Sequence, residues 1–271
     1  MRRRTLLSAA ALGVAAAAYP AARAVAATAP ALFVAAHPDD ETLAMSTAIA
    51  EHVAAGQDVH VLLLTDGEGS GTINVINGTT TSPWWGNRHV PTAEGYAPLT
   101  ATTLAAARVI EAQTALRCLA AGLPGTLTVH RASLPDGAVT SATAQAAIVA
   151  VADQIAPGGV VRLKGHSPTV DNHADHLAAG QAMVALATSN PARFSDRRHY
   201  ILPMYWTDSR LSLVTESWDG PTDAGIAARV RAAVRSYGAW SPAQGSYAIG
   251  YHSVATMLDQ LMSTPKCLQH P

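Results

Sequence analysis

Two short stretches carry residue types and spacings that could hold a metal ion and move a proton. The first is His37-Pro38-Asp39-Asp40-Glu41, at the end of an apolar run; the second is His173-Ala174-Asp175-His176. Three consecutive carboxylates repel one another unless positive charge sits among them, and the adjacent imidazole points to a metal cation. His37 and Asp40 can supply two ligands from one tight turn, with Pro38 restricting the backbone between them, and the His173/His176 pair can supply a third. Two histidines and one carboxylate leave a tetrahedral position open, the pattern of a catalytic rather than a structural zinc site. A local reading competes. Asp39 or Asp40 could cap the following helix, Glu41 could complement its dipole, and the two later histidines could be a surface and a packed residue. That reading accounts for neither His37-Pro38 nor the recurrence of histidine after a second strand.

These stretches must be positioned by the elements around them. Residues 32–36 read as a buried strand, 42–55 as a helix closed by Gly56, and 59–65 as a second strand whose unbroken apolar run suits a parallel sheet covered on both faces. From 66 to 98 periodicity gives way to Gly, Thr, Asn, Pro and the pair Trp84-Trp85, and so long a loop in a compact domain is usually functional. Helix character returns over 100–121 and stops at Gly122-Leu123-Pro124-Gly125. A strand is predicted at 126–129, a turn at Pro135-Asp136-Gly137, a helix at 141–155 and a strand at 160–163. A polar loop then leads to a helix running from Asp175 to about Thr188. The last third is less regular, with a strand predicted at 200–202 and a helix at 224–235. This alternation predicts an α/β layered fold with a mainly parallel sheet. In such sheets sites form beyond the carboxyl ends of strands, so the polar clusters at 37–41, 65–68 and 173–176 can converge.

With 49% hydrophobic and 14% charged residues, the 271-residue chain has material for one sizeable core. A formal net charge of −1 supplies no general field for nucleic acid or an anionic membrane. Met1-Arg2-Arg3-Arg4, an apolar stretch of small residues and A-x-A sites at 22–26 form an export-signal pattern, with the paired arginines of a twin-arginine signal. The expectation is a signal peptide over 1–26, a secreted protein, and one domain over 27–271; an uncleaved N-terminal anchor is the competing reading. Cys118 and Cys267 could pair in an oxidising compartment or remain thiols, and their spacing excludes a cysteine-based zinc cluster.

The run Ala36-His37-Pro38-Asp39-Asp40-Glu41 resembles the signature of the PIG-L-like (LmbE-like) zinc-dependent N-deacetylases, which remove acetyl from N-acetylglucosamine-type sugars. Thr65-Asp66-Gly67-Glu68, Arg108-Val109-Ile110-Glu111 and His173-Ala174-Asp175-His176 follow in the family's order. The resemblance implies a Rossmann-like three-layer fold and one zinc held by His37, Asp40 and His176, although Fe(II), Co(II) or Mn(II) would suit the same ligands. It implies Asp39 as general base and His173 as second catalytic residue, with Asp175 orienting His173. Whether His173 or Asp39 protonates the departing amine stays open. Arg108 matches a sugar-contacting arginine, the alternative being an ion pair with Glu111 one helical turn away. Glu41 supports the turn.

The segment holding Trp84, Trp85 and Arg88 is longer than in smaller members of that family. Its indoles suit sugar stacking or a hydrophobic acceptor, or else pin the loop to the body. His166 is a spare imidazole near the site, structural or outer-shell, or displacing an assumed ligand. The segments 205–210 and 237–251 are expected at the rim of the cleft. The function implied is an exported zinc hydrolase that deacetylates an amino sugar on a larger conjugate. That conjugate would be a glycolipid, a cell-wall glycan or a glycosylated natural product such as a glycopeptide antibiotic intermediate. Contact with a membrane or glycolipid would then be peripheral, and nucleic acid is no partner. A non-catalytic sugar-binding module and a metal-dependent phosphoesterase are the competing classes. The first would not need Asp39 and His173, and the second needs ligands for a metal pair.

Overall fold

The structure is a computed structural model and describes residues 29–194 and 196–271, so the expected signal peptide over 1–26 lies outside the described residues. A seven-stranded sheet forms the middle layer, in the order β3-β2-β1-β4-β5-β9-β6. β1 (Ala31–Ala35), β2 (Asp58–Thr65), β3 (Thr126–Leu134), β4 (Arg162–His166) and β5 (Arg197–Ile201) run parallel. β6 (Ser217–Asp219) and β9 (Cys267–His270) close one edge antiparallel. β7 (Trp240–Ser241) and β8 (Ser246–Tyr247) make a separate two-stranded ribbon. The predicted α/β, Rossmann-like three-layer arrangement with a mainly parallel sheet is the observed fold.

Alternation along the strands sends side chains to two cores. Phe33, Val61 and Leu63 pack under α1 (Asp40–Ala54), α3 (Ala101–Ala120) and α6 (Ala224–Ser236). Leu32, Val34, Leu62 and Leu163 pack under α4 (Ser141–Ile155) and α5 (Ala174–Ser189). β1 is buried along its whole length between β2 and β4, which explains its lack of polar alternation. Helices α3 and α4 start at capping boxes, Thr100 with Thr103 and Thr140 with Thr143, each pair satisfying backbone donors reciprocally.

Several elements differ from expectation. β3 extends to Leu134 rather than stopping near 129, and β4 lies at 162–166 rather than 160–163. The 66–98 loop contains a single short helix, α2 (Thr72–Ile76), and the last third adds α7 (Ile249–Ser263) and β9, neither legible from periodicity. Cys118 on α3 is half-buried, Cys267 on β9 is buried, and both are free thiols rather than a disulfide.

The strand order reverses between β1 and β4, and the chain leaves both strands towards the same end of the sheet. That crevice is where the 37–41 turn and the 167–173 loop meet.

Candidate active site

Asp39 is the most unusual backbone position in the site. Its φ of 140° and ψ of −28° fall where glycine is favoured, a conformation costing about 1–3 kcal/mol. Its N–H donates to Glu41 Oε2 at 3.0 Å, and its carbonyl accepts from Thr42 and Leu43. Glu41, wholly buried, also accepts from the hydroxyls of Thr42 and Tyr237. Burial pushes its carboxyl up to about 7 against these hydrogen bonds. Glu41 therefore braces the turn, as expected. Neither Asp39 nor Asp40 caps α1: Asp39 makes no side-chain cap bond, and Asp40 Oδ2 accepts the His37 N–H at 2.8 Å. The helix-start reading of these acids fails on geometry.

His37 Nδ1, Asp40 Oδ2 and His176 Nε2 converge. The separations are 3.1 Å between the two nitrogens, 3.3 Å from His37 to Asp40 and 3.2 Å from His176 to Asp40. Ligands at 2.0–2.1 Å from a tetrahedral metal stand about 3.3 Å apart, so this donor set fits a zinc-sized cation. The far nitrogen of each ring faces a carboxylate. His37 Nε2 lies 3.1 Å from Asp136 Oδ1 and 3.2 Å from Asp175 Oδ2, and His176 Nδ1 lies 3.0 Å from Asp171 Oδ2. A proton held there leaves a lone pair on each inner nitrogen, the tautomer that ligates metal. Burial opposes protonation of His37, yet Asp136, Asp175 and Asp40 raise its pKa to about 12. Burial likewise opposes a proton on His176, and Asp40 with Asp171 raises it to about 9. The pocket strongly favours positive charge.

Two of these carboxylates lie outside the expected site. Asp136 belongs to the predicted turn and Asp171 to the loop at the mouth, yet both anchor the inner histidines. Asp175 is placed differently from expectation as well: its carboxylate accepts from Gly137 and Val139 N–H and faces His37, not His173. His173 is exposed, caps α5, and accepts the Asp175 N–H on Nδ1 at 3.3 Å. Although the residue is exposed, partial desolvation of its ring at the cleft, followed by the charges of His176 and His37, lowers its pKa.

Arg108 is buried, and its guanidinium donates to Asp39 Oδ2, the Pro38 carbonyl and the Gly67 carbonyl, each at 3.1 Å. Glu111 is not its partner; that carboxylate accepts from Ile249 and Gly250 N–H at the start of α7. The 65–68 motif builds the rest of the frame. Asp66 binds Arg131 with two hydrogen bonds of 2.9 and 2.7 Å, and Glu68 accepts the Asp136 N–H, so the β3–α4 turn is drawn to His37. At Gly67, with φ +74°, a Cβ would collide with the Arg108 guanidinium. Gly180 likewise lets α5 approach the 166–168 backbone, since a Cβ there would meet Pro168 N at 2.6 Å.

His166 is buried and stacks on His176, with ring centroids 4.1 Å apart and planes 3° from parallel. Its Nε2 accepts the Ala36 N–H at 3.1 Å and lies 3.3 Å from Asp40 Oδ2. It braces the Asp40 and His176 pair from behind. Burial, then the charge of His176, lowers its pKa.

His37, Asp39, Asp40, Asp171, His173 and His176 line a cleft of about 580 Å³. Its lining is mixed: Gly69, Ser70, Arg108, Asp136 and Asn172 are polar contributors, and Leu202, Met204, Tyr205, Val254 and Met257 are largely apolar ones. Trp84, Trp85 and Arg88 do not line it. The indoles pack instead against Tyr251, His89, Trp240 and His252, with centroids 4.5 to 5.2 Å apart, which agrees with the loop-pinning alternative. Tyr205 lines the cleft as expected of its segment, whereas the 237–251 stretch gives way to Ser253, Val254 and Met257.

The fold is shared with solved structures. The zinc-inhibited form of teicoplanin deacetylase Orf2 superposes with a TM-score of 0.59 at 14% identity, over 89% of this chain and 97% of that one. The conserved protein TT1542 from Thermus thermophilus gives a TM-score of 0.52 at 19% identity, covering 85% and 84%. GalB, the 4-carboxy-2-hydroxymuconate hydratase from Pseudomonas putida, gives 0.51 at 16% identity, covering 87% and 88%. At these identities the likeness speaks to fold alone, and a hydratase stands beside a deacetylase on it. No curated protein sequence matches the chain. The family model described as PIG-L, GlcNAc-PI de-N-acetylase, matches residues 32–187, which span β1 to α5 and include the three converging donors, Asp39, Arg108 and His173. The chain belongs to the PIG-L (GlcNAc-PI de-N-acetylase) family.

Proposed function

We propose that the protein is an exported, metal-dependent hydrolase that removes the N-acetyl group from an N-acetylglucosamine-type sugar on a larger conjugate. The observation that carries this reading is the placement of Asp39. Its carboxylate is gripped by Arg108 and borders the cleft floor beside His37 Nδ1, Asp40 Oδ2 and His176 Nε2. Metal binding alone would not need a second acid, beside Asp40, in a strained turn. Family membership supports the reaction class.

The three donors would hold one divalent metal, zinc by ligand type. Bound there, the metal supplies Lewis acidity to water and to the acetamide carbonyl. Asp39 takes a proton from water as the water oxygen bonds to the carbonyl carbon. Burial raises its carboxyl to about 6 while Arg108 pulls it down, so it is ionised and still basic near neutrality. His173, accepting a backbone N–H on Nδ1, carries its proton on Nε2 and donates a hydrogen bond to the developing oxyanion. Asp39 then returns the proton to the nitrogen as the C–N bond breaks, giving acetate and a free amine. In this reading Asp39 is the proton carrier in both directions and His173 a neutral donor.

A cleft lined by both polar and apolar residues suits an amino sugar joined to a less polar aglycone, such as a glycolipid or a glycosylated natural product; a cell-wall glycan is the more polar candidate. Arg108 is engaged with Asp39, so its part in sugar binding is limited to the cleft face it presents. Export rests on residues 1–26. Fractionation of cells making the full chain is expected to find the protein outside the cytoplasm and the Arg3→Lys/Arg4→Lys variant retained inside; equal partitioning of both contradicts the export reading.

Asp39→Ala tests the reaction. Acetate release from N-acetylglucosamine conjugates is expected to fall by at least about 100-fold, the usual worth of a positioned general base, while bound metal stays at the wild-type level. Release within a few-fold of wild type would remove Asp39 from the chemistry.

A further inference from the structure

Away from the cleft floor, the 77–98 loop is joined to α7 by a chain of four side chains. Glu94 Oε2 lies 2.8 Å from His89 Nδ1, His89 Nε2 lies 3.2 Å from His252 Nε2, and His252 Nδ1 lies 2.8 Å from Ser82 Oγ. Ser82 Oγ also accepts the N–H groups of Trp84 and Trp85. Ser82, His89 and His252 are buried. The partners fix the protons. Glu94 accepts from His89 Nδ1–H, the two backbone donors occupy the Ser82 oxygen and orient its hydroxyl toward His252 Nδ1, and His252 Nε2 then carries the single proton between the two rings. Trp240 stacks on His89 at 4.5 Å and 17°, and Trp84 and Trp85 stand edge-on to His252 at 5.2 and 5.0 Å.

His252 belongs to the first turn of α7. The following Ser253, Val254 and Met257 line the cleft, and at Val254 the helix breaks, with φ −133° and ψ 33°. This turn has no side-chain cap of its own and begins at Ala248 with φ 48°. It is held by Glu111 from α3 and by the loop through His252.

We propose that His89 and His252 are positioning residues for the cleft. Their single-proton hydrogen bond clamps the 77–98 loop to α7 and sets the wall that the bound sugar conjugate meets, and a second proton at that bond opens the clamp. A proton on both facing nitrogens turns attraction into repulsion, while the rings around them are apolar. Glu94 is the charged group facing the pair; His252 otherwise meets Ser82 and the rings of Trp84, Trp85 and Trp240, and His89 meets Trp85 and Trp240. Burial lowers the His252 pKa to about 4, with His89 adding to the effect and Glu94 opposing it, so the clamp is closed at neutrality and opens in acid.

The test uses the full mature chain. Tryptophan emission of wild type is expected to change reversibly between pH 7 and 4, as imidazolium forms against three of the five tryptophans, while far-ultraviolet circular dichroism stays constant. Glu94→Gln, which removes the charge facing His89, moves that transition to lower pH. His252→Leu speeds amide exchange at residues 249–257 at pH 7 and removes the emission change; His252→Gln, which keeps a donor and an acceptor, restores slow exchange. These two readouts stand independently of the deacetylase reading. The kinetic readout rests on it: in His252→Leu, KM for the conjugate rises about tenfold with kcat within about threefold, the signature of lost substrate positioning. A pH-independent emission in wild type, or wild-type exchange at 249–257 in a folded His252→Leu, overturns the clamp. Should His252→Leu not fold, an unmoved transition in Glu94→Gln overturns it alone. Failure of wild type to release acetate sinks the proposed reaction and leaves the clamp to the spectroscopic result.

Discussion

Asp39, the proposed base, sits in a backbone conformation that few residues other than glycine adopt, and three neighbours hold it there. Glu41 takes its N–H, Arg108 takes its carboxylate, and α1 takes its carbonyl. The pairing has a testable consequence. Arg108 opposes the upward push of burial on the Asp39 carboxyl, so Arg108→Met raises the pH at which the base loses its proton. Because the base acts ionised, the acid limb of kcat/KM is expected to move to higher pH and activity at pH 7 to fall. An unmoved limb would assign Arg108 to substrate contact alone. The carboxylates behind the histidines carry a second prediction. Asp171 faces His176 and Asp175 faces His37, and loss of such a partner costs about 10–100-fold in metal affinity. Asp171→Asn should show that loss in a competition with a fluorescent chelator, while wild-type affinity would mean that Asp171 only shapes its loop. At this scale the sequence displays His37, Asp39, Asp40, His173 and His176 because 37–40 is one turn and 173–176 one helical turn, local spacings that read directly. Asp136 and Asp171 escape a reading of the sequence for the opposite reason: their meaning arises only when β3 and the 167–173 loop are brought beside β1 and α5.

The elements explain why a loosely patterned stretch such as 65–68 with 108–111 matters. Asp66 and Glu68 tie the loop after β2 to Arg131 and to the Asp136 turn, and α3 sends Arg108 to Asp39 and Glu111 to α7. One helix thus holds both Asp39 and the start of α7, whose Ser253, Val254 and Met257 line the cleft. Gly67 is the point where this frame is tightest. Gly67→Ala places a Cβ against Arg108 at a positive φ, and is expected to cost about 1–2 kcal/mol of stability together with most activity. Gly220→Ala, where a Cβ meets nothing within 4 Å and φ is ordinary, is the neutral control in the same denaturation series. The alternating strands and helices through α5 are legible because buried parallel strands are short apolar runs between capped helices. α7 is not. It starts without a cap of its own, breaks at Val254, and is stabilised by Glu111 and His252 partners distant in sequence. Trp84 and Trp85 mislead for a related reason: indoles in a Gly/Asn-rich loop look free in sequence but are half-covered by Trp240 and His252 of a later segment.

For the whole molecule, a buried uncharged histidine is one contribution to behaviour in acid, beside buried carboxyls such as Glu41 and Glu111 whose raised pKa values act in the opposite sense. Burial pulls the His199 pKa down to about 3, with its hydrogen bond to the His166 carbonyl opposing. The unfolded chain binds that proton from about pH 6.5 downward and the folded protein refuses it, so stability falls as pH drops through this window. At pH 5 the contribution is about 2 kcal/mol. Urea denaturation at pH 7 and 5 should therefore show a larger loss in wild type than in His199→Gln, which keeps a donor toward the carbonyl; equal losses would mean that His199 already carries its proton when folded. The sheet itself is what makes the site possible, since it joins His37 and His176, 139 residues apart, at one crevice. Counting metal against turnover examines that arrangement most directly. Protein stripped by chelation is titrated with zinc while acetate release from an N-acetylglucosamine conjugate is followed. No release is expected without metal and full release at one zinc per chain, with His176→Ala failing to recover at that ratio. Release that survives complete metal removal, or that requires two zinc ions per chain, would contradict that expectation.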